Sequence, residues 1–157
     1  MEFFRLRIKL LSIVWLILAG FLFQCNSPTG LQPASGVEGT LNFQGNWPPA
    51  VQGAALVALS TFPADVSQAA DFLVNYTTPV DSGSHSSEFF IQLKPGTYYL
   101  MTLGLTINPA VFAANLDSIK ASGVLPVVLL ETDLATISQP VTIQIETVKL
   151  LNRTVSF

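Results

Sequence analysis

The chain has 157 residues but one cysteine and one histidine, and only 11% of its residues are charged. A single cysteine excludes an internal disulfide framework and any Cys-rich zinc site. With Cys25 and His85 as the sole members of their kinds and few ionisable groups to converge, most hydrolase and metalloenzyme designs are unsupported. Basic residues are also scarce: 7 Lys and Arg stand against 10 Asp and Glu, a net charge of −3, which leaves no footprint for nucleic acid. The apolar N-terminal run from Leu10 to Phe23 falls short of the roughly 20 residues a membrane-spanning helix needs. What is abundant is apolar: half the residues are hydrophobic, which argues against a disordered chain, and the length suits one domain.

The first 24 residues separate from the rest. Arg5, Arg7 and Lys9 precede the uncharged run, and basic residues followed by an apolar stretch form an export signal. The basic side would stay in the cytoplasm while the remainder crosses.

The only cysteine follows at once, in Leu22-Phe23-Gln24-Cys25, with Asn26-Ser27-Pro28-Thr29-Gly30 after it. Here the sequence resembles a bacterial lipoprotein precursor. The resemblance implies that the Cys25 thiol receives a diacylglyceryl group, that residues 1–24 are a signal peptide cut off just before it, and that the new amine is acylated. Leu22 matches the family's apolar residue, whereas Phe23 and Gln24 stand where small residues are usual. Each acyl chain contributes about 0.8 kcal/mol per buried methylene, so two or three would anchor the protein without a spanning helix. Asn26, where an Asp would be the retention signal, implies sorting to the outer membrane of the cell envelope by the same resemblance.

Residues 25–36 read as lipidated cysteine plus flexible linker: Asn26 to Gly36 holds two Pro, two Gly, three hydroxyl residues and no charge. From Cys25 onward four basic residues (Lys94, Lys120, Lys149, Arg153) face nine acidic ones, a net charge of −5. Anionic head groups repel such a body, so attachment to the membrane is expected through the lipid.

Residues 37–157 read as one β-rich domain. Val37, Gly39, Leu41 and Phe43 alternate with polar neighbours, and strands are expected over 54–62, 88–93, 97–105, 124–130 and from 141 towards Phe157, with a bulge near Thr147-Val148. Lys94-Pro95-Gly96 is a tight turn, Pro fixing φ and Gly supplying a positive one. Asn108-Pro109 reads as a helix N-cap and first-turn Pro, with Phe112, Leu116 and Ile119 at helical spacing, and Val66, Ala69, Ala70 and Leu73 fit a second short helix.

Val37-Glu38-Gly39-Thr40-Leu41, the Gly53-Ala54 pair and Pro95-Gly96-Thr97-Tyr98 together resemble the carboxypeptidase regulatory-like family. That family implies a prealbumin-like (transthyretin-like) β-sandwich of seven or so strands, here with one or two short helices. It implies an accessory, structural or adhesive module and brings no catalytic residue. The segment 108–136 has no counterpart in the family and reads as a helical insertion.

The stretch from Asp81 to Glu88 gathers two carboxylates, four Ser and His85. It is the best local candidate for nucleophilic catalysis or for a weak metal site of Asp81, His85 and Glu88, but a Ser-rich loop lacks the fixed geometry and oxyanion donors that catalysis needs. The expectation is therefore no catalytic residue, no metal and no cofactor. Trp47 beside Pro48-Pro49 could stack on a sugar ring, and Tyr98 could join it, against the plainer role of covering the core. The expected function is a lipid-anchored envelope protein whose sandwich serves a structural or interaction role with an envelope protein; the alternative is a glycan- or small-ligand-binding module.

Overall fold

The computed structural model describes residues 34–131 and 133–157. The leader, Cys25 and the linker up to residue 33 lie outside the described residues. Those described are mainly β, with ten strands in two sheets and four short helices, consistent with a β-sandwich.

The first sheet is built on β1 (Gly36–Gln44). One edge of β1 pairs antiparallel with β5 (Ser86–Gln92), from Gly36↔Gln92 to Asn42↔Ser86. Its other edge carries two parallel strands end to end, β9 (Val148–Leu150) beside residues 36–38 and β10 (Arg153–Ser156) beside residues 41–44. Between them, Leu151 N–H donates to Glu38 C=O (2.8 Å) and Asn152 Oδ1 accepts from Thr40 N–H (3.0 Å), so the interruption leaves no backbone donor of β1 unmet there.

The second sheet centres on β2 (Gly53–Leu59) and the ten-residue β6 (Gly96–Leu105), antiparallel from Gly53↔Leu105 to Leu59↔Tyr99. On the outer edge of β2 lie β3 (Leu73–Tyr76) and β4 (Val80–Asp81); on that of β6 lie β8 (Val141–Ile143) and β7 (Val127–Leu129). Gly53 opens β2 where the Val80 carbonyl and the Pro109 ring would overlap a Cβ, so only glycine fits.

All seven residues of β2 are buried, because both faces of this sheet are covered. Ala54, Leu56, Ala58 and Leu100 pack towards Val37, Leu41, Phe89, Ile91 and Val155 of the first sheet. Val57, Leu59, Met101, Leu103 and Leu105 face the opposite way, under a layer of short helices. These are α1 (Ala69–Phe72), α2 (Pro109–Ala114), α3 (Leu116–Ser122) and α4 (Leu134–Ile137). Phe112 of α2 is 1% exposed and meets Tyr76 edge-on at 5.8 Å. Burial of each such large apolar side chain stabilises the fold by roughly 1.5–3 kcal/mol. Asn108 caps α2 as expected, its Oδ1 accepting from Ala110 N–H (2.9 Å). The helical reading of 66–73 holds for a 3₁₀ turn at Val66–Gln68 followed by α1, with Asp65 as the cap.

Two expectations change. Lys94-Pro95-Gly96 does turn the chain, from β5 in the first sheet to β6 in the second, but Gly96 starts β6 without the positive φ expected of it. Near residue 147 the chain does not bulge within one strand but crosses between sheets, from β8 to β9, with Glu146 in a left-handed conformation (φ 58°). Continuous apolar alternation on both sides of such a crossing looks like one strand in sequence.

Candidate functional site

The strand arrangement leaves a gap along β6. Its outer edge pairs with β8 at residues 96–98 and with β7 at residues 103–105, so the backbone groups between them have no strand partner. Arg153 fills the gap from the other sheet. It opens β10 opposite Leu41, in phase with buried Val155, and its Nη1 donates to Leu100 C=O at 2.8 Å. The same Nη1 donates to Glu131 Oε2 (2.7 Å) and Oε1 (2.9 Å). Thr102 Oγ1 donates to Glu131 Oε1 as well, and Leu130 N–H donates to Thr102 C=O (3.2 Å).

The two charged side chains are 7% and 9% exposed. Burial at this depth is tolerated because the opposite charges meet directly and each carboxylate oxygen has a donor. Arg153 Nε is buried without a partner among the described residues. Beside the pair lies a recess of about 360 Å³ lined by Glu131, Asp133, Thr136, Asn152 and all four residues of β10. Asp133 caps α4: the Thr136 hydroxyl does most to hold its carboxyl below the ordinary value, desolvation opposes it next, and the N–H groups of Thr136 and Ala135 lower it further. This arrangement suits a clasp, in which a carboxylate with a donor at each oxygen and an arginine bound to main chain tie the sheets together.

In sequence, Arg153 stands out only as one of the four basic residues after Cys25. The available signal was phase: Arg153 falls on the apolar side of an alternation with Val155 and Phe157, where a charge requires a partner.

Trp47 lies at the far end of β1. Its ring sits 4.8 Å from Phe43 and 5.0 Å from Phe157, and its Nε1 donates to Ser84 C=O (3.3 Å). It is half-buried against the inter-sheet core. Tyr98 lies at the opposite end, buried, its hydroxyl donating to Lys94 C=O (2.9 Å). Since Lys94 follows Leu93, whose N–H donates to Ser35 C=O beside the start of β1, the nine-residue length of that strand separates the two aromatics. At about 3.3 Å per residue, the structure does not bring them into one site.

The 81–88 stretch is shorter as a loop than its sequence implies. Asp81 ends β4, residues 86–88 belong to β5, and His85 C=O accepts from Phe43 N–H (2.8 Å). Among the described residues no three of His, Cys, Asp and Glu gather as a metal site. Glu88 faces outward opposite Thr40 and, with Glu38, Gly39 and Asn152, lines a shallow trough of about 380 Å³ on the outer face of the first sheet. No helix among the described residues covers this outer face, whereas short helices cover that of the second sheet. Among the described residues no helix is long and apolar enough to cross a membrane. No family model, curated protein or solved structure matches the chain.

Proposed function

We propose that the protein is a bacterial envelope lipoprotein, held by lipid on Cys25 and sorted to the outer membrane, whose β-sandwich serves a non-catalytic structural or interaction role. The observation that carries this is the spacing of the chain: basic leader, uncharged run, sole cysteine, a short uncharged linker, and the first strand beginning at Gly36. Eleven residues from Cys25 to Gly36 reach at most roughly 40 Å, which keeps the domain beside the bilayer. The non-catalytic reading draws on the chemistry of the clasp, where the most deeply placed charges serve main-chain and ion-pair bonds. A prealbumin-like sandwich is the finer fold reading, supported by Gly53 at the start of β2 and by the Pro95-Gly96-Thr97-Tyr98 turn between sheets.

The test is the intact mass of protein extracted from its native membrane, beside a Cys25→Ser variant. A mature chain starting at Cys25 and carrying diacylglyceryl or three acyl groups, with the variant unmodified, is expected. An unmodified chain starting elsewhere would refute the anchor and the sorting that depends on it.

A further inference from the structure

The outer face of the first sheet is not uniform. At the end where β1 begins, Leu150, Glu38 and Phe90 stand side by side across β9, β1 and β5, and Val148, Gly36 and Gln92 form the next row. Adjacent strands lie about 4.8 Å apart, so Leu150 and Phe90 flank Glu38 across roughly 10 Å. The Phe90 ring leans over Gly36, coming within 3.2 Å of where a Cβ would be. Exposed Ile145 lies near the same end, in the crossing segment whose Glu146 N–H donates to Ser35 Oγ (2.8 Å). Exposures of 45% for Phe90, 73% for Ile145, 39% for Val148 and 68% for Leu150 make this a cluster of large apolar side chains facing water.

In the first sheet this end carries Lys94 and Lys149 beside Glu38 and Glu146; Asp65 and Asp71, between β2 and β3, lie at the same end of the second sheet. The linker joins the domain at Ser35 and Gly36, beside this patch.

We propose that this end of the first sheet, through Phe90, Ile145, Val148 and Leu150, rests against the lipid bilayer. The inference builds on the anchored reading above, which fixes that a bilayer lies within reach of Gly36. Given a tether at this end, the cluster of Phe90, Val148 and Leu150 is the part of the first sheet held nearest the membrane, where apolar side chains at the head-group boundary are removed from water. Glu38, between Leu150 and Phe90, limits how deep the patch enters, so contact lies at the head-group boundary.

The experiment uses the full chain, extracted from its membrane and reconstituted into phosphatidylethanolamine and phosphatidylglycerol vesicles containing lipids spin-labelled near the head group. An environment-sensitive fluorophore is attached at Gln92→Cys, on the patch row, or at Ser118→Cys on α3; if Cys25 proves unmodified, both are placed in the Cys25→Ser chain. We expect a blue-shifted emission at residue 92 and quenching there roughly two-fold or more above that at residue 118, as for groups at the head-group boundary. Adding Ile145→Ser and Leu150→Ser should abolish the difference. Equal quenching at both positions, or no association with the vesicles, overturns the proposal. Density-dependent self-quenching at residue 92 without lipid quenching also overturns it and assigns the face to a second copy. The mass of the Cys25 peptide, read on the same sample, separates the two readings: lipidated Cys25 with equal quenching refutes only the contact, and unmodified Cys25 refutes the anchor while the quenching still decides the contact.

Discussion

Arg153 and Glu131, 22 residues apart in the chain, meet at 2.7 Å where β6 has no strand to pair with. Arg153 belongs to the first sheet and Leu100, whose carbonyl it also holds, to the second. One guanidinium therefore does in the gap what a neighbouring strand would do elsewhere, giving a donor to a buried backbone acceptor.

Removing one partner should be costly. Glu131→Ala leaves a buried arginine without its counter-charge and is expected to destabilise by about 3–5 kcal/mol. Arg153→Met leaves Leu100 C=O without that donor and Glu131 without its counter-charge, held by the Thr102 hydroxyl alone, with a loss of similar order. The double variant Glu131→Leu with Arg153→Met should lie nearer the wild type than the sum of the singles. Urea denaturation of the four proteins checks this; additive losses would mean the two residues do not act as a pair.

Trp47 is expected to behave as a packing residue. Its ring lies between Phe43 and Phe157, so Trp47→Ala opens space at the end of the core. Because the ring is only half-buried, the loss should be about 2 kcal/mol, below that of a fully buried aromatic. Thermal denaturation measures it. A variant as stable as the wild type that no longer binds a glycan would instead favour the ligand-binding reading.

The acid limb of stability should depend on Asp133. Its carboxyl is held below the ordinary value of 3.8 by the Thr136 hydroxyl and by N–H groups at the start of α4. A depressed folded-state value gives stability that is present above 3.8 and is lost as pH falls through the lowered folded value. Asp133→Asn should therefore differ most from the wild type near neutral pH, and the two should converge in acid. Melting curves across the acid range test this; a constant difference would show that the ionised carboxylate is not what caps the helix.

Much of the architecture was legible in the sequence because it rests on local chemistry. Asn108 followed by Pro109 caps and starts a helix wherever it occurs, and the alternation of Val37, Leu41 and Phe43 puts those residues on one buried face. The apolar run over 54–62 reads as a strand in sequence, and the structure has β2 there, covered on both sides. Less legible were β3 and β4, each of four residues or fewer, too short to show a period. The crossing at Glu146 was hidden because the apolar pattern runs past it on both sides.

The chain alone determined the leader pattern, the single cysteine, the linker composition and the acidic balance, since each is a property of residues in order. Only the tertiary structure decided that Arg153 meets Glu131, that Trp47 and Tyr98 stand at opposite ends of the sandwich, and that Phe90, Val148 and Leu150 share a face beside Gly36. Those relations depend on strand order and register. Both come from the mutual burial of elements distant in sequence, and shifting a pairing by one residue would send every one of these side chains to the other face.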